Sequence, residues 1–192
     1  GHNWELYALW TWFSSFAVDT GVGSALSIAG DAKRGGSLAA FFVISAGFIG
    51  SAIAGIFADK FGRTSICLVS LALSVLFSSL TALSDGPVAN TLTFGILWGL
   101  VSVAESAQYS AMVTEVVIPS RIGEASTLQF AIGYVFTIPT MYIVPYIKEM
   151  AGWQWAWLSL SVGPMISFFA VYLLRQDPIV LRAKQSLRRK QF

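Results

Sequence analysis

Charge is scarce in this chain. Of 192 residues only 11% are Asp, Glu, Lys or Arg, where a soluble domain carries about 25%. So few charges cannot cover a water-facing surface, which excludes an ordinary soluble globule. Cysteine occurs once, at Cys67, so there is no disulfide framework. Histidine occurs once, at His2, and neither residue stands in a cluster of metal-ligand types. Both are read as packing or surface residues, and no metal or other cofactor is expected. A phosphate-binding glycine loop and a nucleophile–base pair are also missing, so no enzyme chemistry is expected. The net charge is only +2, and the basic residues gather in one tail rather than over a face. Nucleic acid is therefore not an expected partner.

What the chain has is apolar length. Its residues are 55% hydrophobic and its mean hydropathy is +0.67, the composition of an integral membrane protein with lipid as its surroundings. A hydrocarbon core needs about 20 helical residues to cross. Six segments reach that length, roughly 6–28, 37–57, 64–83, 89–113, 125–147 and 153–174. The expected fold is all-α and polytopic, with a six-helix transmembrane domain over 1–177 and a basic cytoplasmic tail over 178–192. The chain opens on Gly1 rather than Met, as a fragment, a processed product or a tagged version of a longer protein would.

Punctuation between the segments sharpens this. Asp31, Lys33, Arg34, Gly35 and Gly36 read as a loop, and Ser84-Asp85-Gly86-Pro87 as a turn. The second segment is dense in small residues that let helix backbones approach. Pro139, with Gly133 nearby, predicts a kink in the fifth. Trp153, Trp155 and Trp157 open the sixth as an interfacial aromatic belt would. With both termini on one side, that side holds nine of the twelve Lys and Arg residues. The excess predicts that both termini are cytoplasmic.

Two carboxylates, Asp19 and Glu105, sit well inside apolar segments, with no Lys or Arg at mid-depth to neutralise them. An ionised carboxylate at the bilayer centre costs about 2.5–3.5 kcal/mol on insertion scales. Each must be protonated, hydrated, or met by a cation from elsewhere. In the fourth segment Trp98, Ser102, Glu105, Tyr109 and Met112 recur at helical spacing as one stripe, bordered by Gln108. In the first, Glu5, Trp12, Ser15 and Asp19 do the same. These faces predict a cavity with Trp12, Asp19, Trp98, Glu105, Gln108 and Tyr109 as candidate substrate residues. Glu105 is read either as a proton-coupling group or as a static hydrogen-bond partner of a neighbouring Ser, Tyr or Gln.

The most specific text lies between the second and third segments, where Gly55-Ile-Phe-Ala-Asp59-Lys60-Phe-Gly62-Arg63 forms a short charged knot. The pattern Gly-x-x-x-Asp-Lys-x-Gly-Arg resembles the signature loop of the major facilitator superfamily. Glu115-Val-Val-Ile-Pro119-Ser-Arg121-Ile-Gly123 is similar, with altered spacing, to the connection after the fourth or tenth helix of those transporters. Gly152-Trp-Gln-Trp-Ala-Trp-Leu resembles the opening of the last helix of a half. The resemblance implies the carboxy-terminal half of a twelve-helix secondary transporter in a bacterial plasma membrane. It would move a small solute by alternating access, completed by an amino-terminal half or a second copy. It also implies that the first and fourth helices line the cavity. Gly55, Asp59, Lys60, Gly62, Arg63, Glu115 and Arg121 would form a cytoplasmic latch. The alternative is a non-transporting subunit of the same fold, acting as an assembly or accessory component of a larger membrane complex.

Overall fold

The computed structural model describes residues 1–27, 30–84 and 87–176, and among these every regular element is helical. In chain order they are α1 (His2–Asp19), α2 (Val22–Ala25), α3 (Ala32–Phe61), α4 (Arg63–Ala82), α5 (Val88–Val116), α6 (Ile122–Ala151), α7 (Trp153–Leu160) and α8 (Val162–Gln176). A single 3-10 turn, Pro119–Arg121, leads into α6. Five spans are long and apolar enough to cross a membrane: α3, α4, α5, α6 with its leading turn, and α7–α8 taken together. α1 is not among these spans: it is the least apolar of the long helices because it carries His2, Asn3, Glu5 and Asp19.

Several expected boundaries move. The first span does not run unbroken to residue 28. It stops at Asp19, turns at Gly21 with φ 81°, and resumes as the four-residue α2. The loop expected over 31–36 is instead the start of α3, capped by Asp31, whose carboxylate accepts from Lys33 N at 3.0 Å and Arg34 N at 3.4 Å. This satisfies two of the donors that a helix start leaves free. Gly35 and Gly36 are therefore packing glycines, since a Cβ on either would strike α1 or α2. The knot at 55–64 is likewise helical through Phe61, and Gly62 alone (φ 91°) breaks it. Pro139 and Pro145 both lie inside one continuous α6. Of the tryptophan belt, Trp155 is exposed but Trp157 is fully buried. The predicted tail, 178–192, lies outside the described residues.

The core sits where α1, α5 and α7 meet, around Leu9, Phe13, Phe16, Trp98, Trp157 and Leu160. Trp98 and Trp157 pack edge-to-face with centroids 5.2 Å apart, a favoured aromatic geometry. Beside it α3 crosses α5 on glycines. A Cβ on Gly50 would strike the Leu100 carbonyl, and one on Gly99 the Val43 carbonyl. The outward faces are apolar, with Phe48, Ile56 and Tyr142 each more than two-thirds exposed. A lipid-facing surface looks like this, because lipid tails solvate such side chains.

Candidate transport site

The site grows from two facing helix stripes. On α1, His2 and Glu5 are three residues apart and share a face; on α5, Trp98, Ser102, Glu105 and Tyr109 do the same. The fold sets the stripes together with a column of hydroxyls on α4. Glu105 is 0% exposed, and its Oε1 lies 3.0 Å from His2 Nδ1. The Tyr109 hydroxyl donates to Glu105 Oε2 at 3.4 Å, and its ring lies 5.6 Å from the His2 ring. One turn away Glu5, also 0% exposed, accepts from Ser74 Oγ at 2.7 Å and from Trp98 Nε1. Ser74 in turn lies 3.1 Å from Ser102 Oγ. Further along α4, Ser78 Oγ is 2.9 Å from Ser161 Oγ. Hydroxyls spaced by four residues thus face the interior and join helices there.

Next to the His2–Glu105 pair an open-sided pocket of about 250 Å³ lies among α1, α5, α6 and α8. His2, Asn3, Tyr109, Gln129 and Ser167 bring hydrogen-bonding groups to it, and Phe130 and Phe136 bring flat apolar surface. No carboxylate lines it, so Glu105 sits one side chain behind its wall. A pocket of this make-up suits a polar, uncharged organic molecule with one apolar side.

The sequence candidates separate under this geometry. Glu105 and Tyr109 stand together at the pocket. Gln108 is buried with its Oε1 unpartnered among the described residues, but does not line the pocket. Trp98 is fully buried against Trp157 and Glu5. Trp12 packs against the main core. Asp19 is not an unpaired intramembrane acid: it ends α1 beside Lys148 Nζ at 3.1 Å and accepts from Trp153 Nε1 at 2.9 Å. Of the three expected fates for the acids, Asp19 thus meets a cation, Lys148, while Glu105 meets the His2 ring. Met112 belongs to a separate cluster with Cys67, Leu71 and Val171.

At the end of the bundle where α3, α4 and α5 meet, Arg63 Nε donates to Glu115 Oε1 at 2.5 Å and Arg63 Nη2 reaches Asp59 Oδ1 at 3.5 Å. Two of the expected latch acids therefore share one guanidinium. Arg121 is exposed and pairs with neither. Lys60 is exposed and lies over the Phe61 ring at 5.5 Å. A Cβ on Gly55 would meet nothing within 4 Å, so no helix of this bundle closes on it.

Sequence reasoning missed His2 and Ser74 and left Glu5 off the candidate set. The signals were present: Glu5 stands three residues from His2, and Ser70, Ser74 and Ser78 repeat at four.

Residues 1–190 match the family described as "Sugar (and other) transporter". The chain belongs to that family of major facilitator transporters. Among curated proteins it is 26% identical to the MFS antiporter QDR3 of Candida albicans over 142 residues, which is 69% of this chain and 20% of that protein. It is 30% identical to solute carrier family 22 member 2 of Rattus norvegicus over 124 residues, 62% of this chain and 21% of that one. Polyamine transporter 4 of Saccharomyces cerevisiae is 24% identical over 132 residues, 68% of this chain and 20% of the relative. Among solved structures, the inward open conformation of the xylose transporter XylE from E. coli superposes with a TM-score of 0.75 at 17% identity. The match covers 98% of this chain and 50% of that one. The chain thus spans about a fifth of the curated relatives it matches and half of the xylose transporter. It is an integral membrane protein with the fold of a half-bundle.

Proposed function

We propose that this chain is the carboxy-terminal half of a secondary active transporter that moves a small, polar, uncharged organic solute by alternating access coupled to protons. An amino-terminal six-helix half, or a second copy, supplies the facing wall, and both termini lie in the cytoplasm of a bacterial cell. The observation that carries the reading is Glu105, buried in a membrane helix and hydrogen-bonded to a histidine that itself lines a solute-sized pocket. An imidazole and a carboxyl group within hydrogen-bond distance can share one proton between them, and His2 presents that shared proton to the pocket side. A solute filling the pocket then changes the water access and hydrogen bonding of that pair, which links its proton to transport. The family description supports a sugar-like solute. The antiporter among the relatives supports coupled movement.

The test is Glu105→Gln in proteoliposomes holding the complete carrier. With a panel of labelled polyols and amines, accumulation driven by an imposed pH gradient falls to passive equilibration, while membrane insertion is unchanged. Undiminished pH-driven accumulation would remove Glu105 from the mechanism.

A further inference from the structure

The two buried glutamates differ in what they touch. Glu105 is bonded to a base, His2. Glu5 is bonded only to neutral donors, the Ser74 hydroxyl and the Trp98 indole, and both reach the same oxygen, Oε1. Its other oxygen, Oε2, is buried and has no hydrogen-bond partner among the described residues. Glu105 on α5 is the charged side chain that acts on Glu5; the other titratable side chains of the surrounding helices include His2 on α1, Tyr109 on α5 and Cys67 on α4, and none of these four is hydrogen-bonded to Glu5. α7 contains no titratable side chain, and α3 and α8 carry charged ones only near their ends.

We propose that Glu5, framed by Ser74, Trp98 and Ser102, is a second proton-binding site, separate from the His2–Glu105 pair, with its proton on Oε2. A carboxylate with no bonded cation in a membrane interior is stabilised most directly by protonation. The frame also fixes which oxygen takes the proton. Oε1 already accepts two hydrogen bonds and serves as the carbonyl oxygen of the acid, which leaves Oε2 to carry the hydrogen. A metal cation would need several oxygens turned toward it, yet the Ser74 and Trp98 hydrogens point at the carboxylate, and every framing residue is 0% exposed. Proton gain at Oε2 neutralises the site, and release leaves one negative charge. The two states therefore differ by a full charge at the centre of the bundle.

This inference rests on the carrier reading only for its role in transport, and its test does not need a solute. Infrared difference spectra are recorded on the complete carrier in lipid while pH is varied. The wild type shows a protonated-carboxyl band at neutral pH. That band is lost in Glu5→Gln and kept in Glu105→Gln. Ser74→Ala keeps the band but moves it to higher frequency, because the acid carbonyl loses one hydrogen bond; this variant answers the question even if Glu5→Gln fails to fold. A band that disappears in Glu105→Gln and survives in Glu5→Gln overturns the assignment, as does a neutral-pH spectrum with no such band. Bleaching of the band by sodium chloride at constant pH would give the site to that ion and overturn it too. A wild-type protein that shows the Glu5 band yet accumulates no solute would defeat the carrier reading alone.

Discussion

Where α3 crosses α5, glycines strip the side chains from the seam, and 33% and 44% of the two apolar windows are buried. α6, of similar length, buries 11%. The seam brings backbone against backbone at Gly50 and Gly99, with Ser51 Oγ lying 3.0 Å from the Gly47 carbonyl and 3.3 Å from the Val103 carbonyl across it. α6 instead meets α1 through side chains, Tyr134 against Tyr7 and the Asn3 side chain over Gly133, and its carboxy-terminal end is held by Lys148 to Asp19 and by its junction with α7. The difference separates tasks. The α3–α5 seam fixes the frame that sets Glu105 opposite His2, while α6 supplies one pocket wall and leaves a wide apolar face exposed.

The largest effect is expected at the seam. Gly99→Ala places a Cβ against the Val43 carbonyl, an atom that cannot swing away. Overpacking of this kind is destabilising by about 3 kcal/mol, the upper end of the usual range. Denaturant titration in detergent should show a markedly lower midpoint and less folded protein. A wild-type midpoint would mean that the seam has slack and would erase the contrast with α6.

Gly133→Ala puts the same methyl on α6. There the obstacle is the Asn3 side chain, which can rotate. Replacing a helical glycine also gains up to about 1 kcal/mol, so net stability should stay within about 1 kcal/mol of wild type. The effect should appear in transport, because Asn3 and Gly133 both line the pocket. Apparent affinity should change more than stability does. A collapse comparable to Gly99→Ala would show that α6 is as tightly seated as α3.

Much of this was legible in the sequence. Long apolar runs report helices whatever their neighbours, so each run was read as helical, although the first helix ends at Asp19 rather than near residue 28, and the spacing of Trp98, Ser102, Glu105 and Tyr109 showed their shared face. What stayed hidden depended on partners distant in sequence. Gly35 and Gly36 look like loop residues until α1 and α2 are seen against them. Asp19 looks unpaired until Lys148 arrives from 129 residues away. His2 looks incidental until Glu105, 103 residues on, closes against it. Trp157 reads as a belt residue beside Trp155, yet one stands in the core and the other outside it. Helical periodicity places a residue on a face without saying which helix that face will meet.

The smallest stability effect, and a sharp separation of holding from moving, is expected at Asp59. Its side chain is 72% exposed, and its bond to Arg63 is long at 3.5 Å, while Arg63 is held at 2.5 Å by Glu115. Exposed pairs of this kind contribute little, so Asp59→Asn should leave the midpoint within about 0.5 kcal/mol of wild type. The Arg63–Glu115 pair links α4 to α5 without Asp59. That leaves Asp59 exposed at an end of the seam where Gly55 meets no neighbouring helix among the described residues, at a boundary open to the second half proposed above. If the charge pairs across that boundary in one conformation only, removing it shifts the balance between the carrier's two states rather than the strength of either fold. Asp59→Asn should then slow turnover several-fold with little change in apparent affinity, read from initial rates across solute concentrations. Unchanged turnover would leave Asp59 with no task beyond helping to fix which side of the membrane the loop lies on.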